Sequence, residues 1–242
     1  MSKILKQKNI KIKMSSFKKV VLVCTSSPSL KNGHPTGLWL EELATPYYAF
    51  LEAGFECVIA STAGGPVPID QGSVTGDFFT EDSKKFLHDP VAIGKLGHSV
   101  PLSSLSFPDC CDAVYLTGGH GCCEDFVDNA TLKACIESMY AAGKATASDC
   151  HGVIALPQCE SGGKPLVAGK KVTGFADTEE AAVQLTEAVP FLIEAKLKEQ
   201  GGIFSKAADW NSHTVVDGNL ITGQNPQSSK GTAEATVAFM KQ

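Results

Sequence analysis

Arginine is missing from this chain: all 21 basic residues are lysines. Without guanidinium groups there is no bidentate clamp for phosphate or carboxylate, which weakens any nucleotide-binding reading. Acidic residues outnumber basic ones, 26 against 21, and the net charge of -5 argues against nucleic acid as a partner. No apolar run approaches the roughly 18 residues that span a bilayer, so no membrane association is expected. No Cys-x-x-Cys pair occurs, which removes zinc-ribbon and thioredoxin-type sites. Neither a P-loop nor a Gly-x-Gly-x-x-Gly fingerprint is present. His34, His88, His98 and His213 are scattered without metal-ligand spacing, and neither a metal nor an organic cofactor is expected.

The chain of 242 residues, 43% hydrophobic and 19% charged, has the balance of a globular protein and the length of one large α/β domain. Its nine cysteines are odd in number and include two adjacent pairs, Cys110-Cys111 and Cys122-Cys123. With no secretory signal evident, they read as reduced thiols in a cytoplasmic protein, several of them small buried apolar residues. The first 19 residues hold seven lysines and no acid. They lack arginine and an apolar targeting segment, so residues 1–17 read as a disordered basic extension, with a single domain over 18–242.

Apolar runs at 19–24, 55–60 and 111–116 predict buried strands, the last ending at Gly118-Gly119. Residues 36–53 carry a helical pattern with Thr36 as N-cap and Gly54 as stop. Residues 62–110 read as an irregular insertion with short helical patches. A helix is expected over 129–142, a short strand over 169–175, and helices over 178–187 and 190–200, the latter with Pro190 in its first turn. Residues 214–222 read as a hairpin around Asp217-Gly218-Asn219, and a helix over 228–240 closes the chain. Strands alternating with helices predict a mostly parallel sheet covered on both faces.

The tripeptide Cys150-His151-Gly152 follows a strand end at 144–149 and precedes a buried helical start at 153–156. A cysteine on such a turn lies at the carboxyl edge of the sheet, before a helix N-terminus that would lower its thiol pKa. Two other loops, at Ser26-Ser27 and Gly118-Gly119-His120-Gly121, follow strands and converge on the same edge. Gly118-Gly119 is either a tight turn or, with the His151 N–H, part of an oxyanion hole. Cys150 alone would be an inert small hydrophobe; its neighbours favour a nucleophile. His151 is either an acid–base group or a helix cap. Glu41 and Glu42 point about 100° apart on a helix, so one faces solvent and the other the site. Glu179 and Glu180 either offset a helix dipole or orient His151.

These residues, in the stretches 36–48, 116–121, 150–152, 169–175 and 220–226, resemble the ThiJ/PfpI superfamily, and most closely its glyoxalase III and chaperone-type branch. The resemblance implies a flavodoxin-like three-layer α/β/α sandwich. It places the acid beside the nucleophile on Glu42, four residues before Pro46, and the third member of a Cys150–His151 triad on Glu180. It assigns the oxyanion hole to the Gly119 and His151 amides and substrate contacts to Gly118 and His120. The implied activity is glutathione-independent conversion of methylglyoxal, a small 2-oxoaldehyde, to D-lactate, without cofactor, in a homodimer. The alternatives are a stress-related holdase chaperone, a cysteine redox sensor, and a hydrolase or hydratase of another small substrate. Two positions depart from the family pattern. Asp149 replaces an apolar residue before the nucleophile, where its carboxylate would raise the thiol pKa or point into solvent. Cys122-Cys123 replaces a larger residue and alters the pocket wall.

Overall fold

The structure, a computed structural model, describes residues 18–242. The basic extension expected over 1–17 lies outside the described residues. The first half runs β1 (Lys19–Cys24), α1 (Glu41–Glu52), β2 (Glu56–Ser61), α2 (Glu81–His88), α3 (Pro90–Gly97), β3 (Val100–Pro101) and β4 (Ala113–Leu116). Next come α4 (Cys122–Asp125), α5 (Ala130–Ala141), β5 (Ala145–Asp149), a 3₁₀ helix (Cys150–Gln158), and the small pair β6 (Glu160–Ser161) and β7 (Lys164–Pro165). The chain finishes with β8 (Lys171–Val172), α6 (Asp177–Ala182), α7 (Ile193–Glu199), β9 (Ile203–Phe204), β10 (Thr214–Asp217), β11 (Leu220–Gly223) and α8 (Ser229–Met240).

The main sheet has the order β10-β11-β5-β4-β1-β2-β3, and all its pairings are parallel except the β10–β11 hairpin. This is the mostly parallel, flavodoxin-like α/β arrangement that the alternating pattern predicts. The two-residue strand period divides the core. Val20, Leu22 and Cys24 of β1 pack on one face with Leu43, Tyr47 and Phe50 of α1 and Ala233 of α8. Val21 and Val23 pack on the other with Ile136 and Met139 of α5 and Val153 and Leu156 of the 3₁₀ helix. Both faces of β1 and β4 are thus covered, which is why their sequences are continuous apolar runs.

Four local expectations are corrected. Thr36 caps no helix: its hydroxyl donates to Asp70 at 2.7 Å, and α1 begins at Glu41 with no side-chain cap. Residues 36–40 are drawn into a tertiary contact instead, in which the Leu38 N–H donates to the Pro68 carbonyl at 2.8 Å. The segment after Cys150 is 3₁₀ rather than α-helical and contains Pro157, which has no N–H to give. The helix expected over 178–187 stops at Ala182, because Gln184 takes a left-handed φ of 62° and the Leu185 N–H reaches back to the Glu180 carbonyl. This is a Schellman ending without the usual glycine. Pro190 lies outside the next helix, which starts at Ile193.

Candidate active site

Three chain segments meet at the carboxyl edge of β4 and β5. Cys150 follows β5 directly at a φ of 51°, a left-handed conformation that costs a non-glycine residue about 1–3 kcal/mol. The turn swings its side chain off the strand, as in a nucleophile elbow. Beyond it, Gly152 packs tightly: an added Cβ would lie 2.6 Å from the Leu116 carbonyl oxygen.

His151 is adjacent in sequence and does touch the thiol, with Nδ1 3.4 Å from the Cys150 Sγ. Its Nε2 donates to Glu180 Oε2 at 2.8 Å. Glu180 lies in the first turn of α6, whose preceding residue, Glu179, turns back to accept from the Ala176 N–H at 3.0 Å. Glu179 therefore caps its own helix, and Glu180 is the carboxylate that orients His151. A second imidazole shares it: His120 Nε2 lies 2.8 Å from Glu180 Oε1. The two rings stack at a centroid distance of 3.8 Å, and Phe175 covers His151 at 4.3 Å. His120, His151 and Glu180 are the buried His/Cys/Asp/Glu group whose ligand atoms fall within 4.8 Å of one another. Both Glu180 oxygens already accept from imidazoles at hydrogen-bond distance, so the cluster is a bifurcated hydrogen-bond network in this structure.

The acids of α1 separate as their helical spacing requires. Glu41 accepts from Thr45 at 2.8 Å and from Thr80, away from the thiol. Glu42 is fully buried and lines the cavity with Cys150. Neither of its oxygens meets a donor with hydrogen-bond geometry among the described residues, although the Cys150 thiol and Gly118 amide lie near enough to favour its charge slightly. Burial, and then the charge of Asp149, push its carboxyl well above the usual range.

Burial also pushes the Cys150 thiol up, and the charges of Glu42 and Asp149 act the same way. The lowered thiol pKa expected from the helix N-terminus is therefore overturned: one 3₁₀ start does not outweigh burial beside two acids. Release of the Cys150 proton therefore calls for a base beside the sulfur. Burial raises Glu180 too, but the two hydrogen-bonded imidazoles outweigh it and hold the carboxyl below its ordinary value. His120 is lowered, by burial first and then by the His151 charge. Asp149 does not point into solvent: it is fully buried and accepts from Ser229 Oγ at 2.9 Å.

Gly118 and Gly119 bring the second loop against the first. A Cβ on Gly118 would strike the Glu42 carboxylate and stand 2.8 Å from the His151 nitrogen. Gly119, at a φ of 97°, crosses the backbone of Gly37 and Trp39, and its N–H donates to no acceptor among the described residues. Gly118→Ala is expected to destabilise the protein by about 1–3 kcal/mol and to lower activity far more than stability. Thermal melting and turnover, with Gly94→Ala in open space on α3 as control, check both effects. The Ser26-Ser27 loop reaches the same edge but stays outside the site, where Ser26 N donates to Asp125 at 2.6 Å.

Above these groups lies a cavity of about 90 Å³ walled by Trp39, Phe78, Phe175, Val183, Trp210 and Pro226. Phe78, Val183 and Trp210 were not anticipated as wall residues. They come from loops and a helix end, where no periodicity marks an inward side chain. Phe78 and Val183 remain partly exposed at the rim, and Trp210 is turned in by a φ of 62°. Cys122 and Cys123 are buried in the core and do not line this cavity, so the altered wall expected from them is corrected.

The DJ-1/PfpI family model matches residues 37–238. The chain belongs to the DJ-1/PfpI family. It is 30% identical to the glutathione-independent glyoxalase hsp3101 of Schizosaccharomyces pombe, over 93% of this chain and 96% of that protein. Among solved structures it resembles Rapid Encystment Protein 24 KDa of Francisella tularensis (TM-score 0.88, 36% identity, 93% of this chain and 99% of that one). It also resembles glyoxalase III of Candida albicans (TM-score 0.82, 28% identity, 92% of this chain and 97% of that one). No helix among the described residues is long and apolar enough to cross a membrane.

Proposed function

We propose that this DJ-1/PfpI protein is a glutathione-independent glyoxalase that converts methylglyoxal and water to D-lactate. The observation that carries the reading is the Cys150 Sγ to His151 Nδ1 contact of 3.4 Å at the base of an apolar cavity, with Glu42 beside the sulfur. That arrangement suits a small, mostly apolar carbonyl compound. The names of the S. pombe and C. albicans relatives support the same reading.

Cys150 adds to the aldehyde carbon while its proton passes to His151 Nδ1, and the resulting oxyanion lies against the Gly119 and His151 amides. Transfer of the proton from His151 to that oxygen gives a hemithioacetal. His151 and Glu42 then move the carbon-bound proton to the neighbouring carbon through an enediol. The aldehyde carbon is oxidised to a thioester as the ketone is reduced to an alcohol, so no external redox partner is needed. Water cleaves the thioester, releasing D-lactate and the thiol. His120 borders the substrate, whereas Gly118, expected to do so, packs against Glu42 and the His151 backbone outside the cavity lining; Glu180 holds His151 with Nδ1 free for the sulfur.

The test is loss of methylglyoxal by the purified full chain without glutathione, with the lactate enantiomer identified enzymatically. D-lactate in stoichiometric yield is expected; no turnover, or L-lactate, overturns the reading. No turnover combined with suppression of protein aggregation would favour the holdase alternative. A homodimer in the cytoplasm belongs to the proposal through the family resemblance, and light scattering on the purified chain reads the first of these.

A further inference from the structure

The loop between β9 and β10, residues 205–213, holds no helix or strand, yet it supplies one wall of the cavity. We propose that Trp210 on this loop sets the upper size of the substrate, and that Glu179 is the positioning residue that holds it there. The site then takes 2-oxoaldehydes with a hydrogen or a short alkyl substituent and turns away aryl ones. The substrate class rests on the glyoxalase reading; the size limit does not.

Three observations carry it. First, the loop backbone is held by buried side chains. The Trp210 N–H donates to Glu179 Oε1 at 2.8 Å, and the Ala207 N–H to Gln224 Oε1 at 2.9 Å. Asn225 Nδ2 donates to the Asn211 carbonyl at 3.0 Å, and the His213 N–H to Ser228 Oγ at 3.0 Å. Glu179, Gln224, Asn225 and Ser228 are fully buried, whereas most of the loop they hold is exposed. Glu179 joins the loop to α6. Its Oε2 accepts from the Ala176 N–H at the helix end, while its Oε1 accepts from Trp210 and, at 2.7 Å, from Asn225 Nδ2. Without that acceptor, the Trp210 N–H would be left unpaired against the interior, a cost the loop escapes only by moving out to water.

Second, Trp210 stands at a φ of 62°. A bulky residue keeps this left-handed conformation only where its surroundings over-determine it. Here they are the Glu179 bond at its backbone and the Phe175 ring, with centroids 5.9 Å apart. Phe175 in turn covers His151. Trp210 is thus one ring removed from the triad. It bounds the cavity while the hydrogen bonds of His151 and Glu180 run elsewhere.

Third, the space is small. The cavity measures about 90 Å³, whereas an apolar cavity that accepts benzene measures about 150 Å³. With the aldehyde carbon at Cys150, a methyl group on the neighbouring carbon suits that space, and a phenyl ring in its place meets the wall. Consecutive residues of one helical turn therefore serve the two halves of the site. Glu180 holds the imidazole that moves protons, and Glu179 holds the wall that selects the substrate.

The test is the ratio of kcat/KM for methylglyoxal to that for phenylglyoxal, an aryl 2-oxoaldehyde, in the full chain. The wild type is expected to favour methylglyoxal by about tenfold or more. Trp210→Gly opens the wall, and glycine takes the left-handed φ without strain; it is expected to lower the ratio by about tenfold. Glu179→Ala should lower it in the same direction by less. It should also raise KM for methylglyoxal more than it lowers kcat, because Glu180 still holds His151. Glu179→Gln, whose amide oxygen still accepts at the Oε1 position, should keep more of the preference. A merely structural role would weaken both substrates alike and leave the ratio unmoved. Asn225→Ala, which releases the Asn211 carbonyl, decides the positioning role if Glu179→Ala does not fold. An unmoved ratio in Trp210→Gly or in the unpinned variant overturns the proposal, as does a wild type that takes both aldehydes equally. Turnover of neither aldehyde would sink the glyoxalase reading alone. The wall is then judged by alkylation of Cys150 with iodoacetamide against N-phenylmaleimide, read by peptide mass. A shift of that ratio toward the aryl reagent in Trp210→Gly sustains the proposal, and an unmoved ratio overturns it.

Discussion

Cys150→Ala is expected to reduce glutathione-independent methylglyoxal turnover by about 10⁴-fold or more, the scale on which enzymes fail when a covalent nucleophile is removed. The site offers no substitute for its sulfur. Cys122 and Cys123, on the loop after the glycine pair, are buried in the core, and burial raises both of them well above the ordinary range. His151 would still stand on Glu180 and the oxyanion donors would remain, so binding and folding should survive. Stability is expected to change little, because alanine at this position inherits the left-handed φ of 51° and its strain. The intact mass of the wild type after a brief pulse of methylglyoxal should show a covalent adduct that the variant lacks. Turnover within tenfold of wild type would exclude Cys150 as the nucleophile.

Much of this site was legible in sequence because turns leave composition marks. A Gly-Gly pair after an apolar run and a Cys-His-Gly after another place two loops on one sheet edge, and the parallel sheet brings them together. Chemistry alone did not separate Glu42 from Glu41, or Glu180 from Glu179. In each pair the neighbours point about 100° apart and the answer depends on which way the helix packs. Glu41 meets Thr45 and Thr80 while Glu42 lines the cavity with Cys150, and Glu179 turns back to its own helix end. The family resemblance points to Glu42 and Glu180, and in the fold Glu42 lines the cavity with Cys150 while Glu180 bonds His151. The His120–Glu180 contact spans 60 residues and leaves no local trace. Nor did Trp210 and Gln184 announce their left-handed backbones, since neither is the glycine or asparagine that usually marks one. The expectation of a low thiol pKa failed for a related reason. It counted the helix dipole, which is local, and left out burial and the charge of Glu42, which belong to the tertiary structure; of the two alternatives open for Asp149, the raised thiol pKa is the one the fold favours.

Glu180→Gln is expected to cost about 10²–10⁴-fold in kcat, because its effect falls on the tautomer of His151 rather than on packing. The carboxylate accepts from both His151 and His120. A glutamine has a single acceptor oxygen to offer the two imidazoles. If its NH₂ faces His151, the imidazole must accept at Nε2 and carry its proton on Nδ1, where it can no longer take the proton of Cys150. If its NH₂ faces His120 instead, the cost moves to that ring, and the remaining bond to His151 has lost its charge. His120→Ala leaves the Glu180–His151 bond in place and should therefore cost less. The same substitution has a stability signature with a defined sign. The folded-state pKa of Glu180 lies below its unfolded value of about 4.3, so its contribution is complete above that pH and is lost as pH falls toward the folded value. Wild type should accordingly melt above Glu180→Gln at pH 7, with the difference shrinking below about pH 4. A melting difference that grows on acidification would mean that the carboxylate is not held ionised by its two histidines, and the triad would lose its anchor.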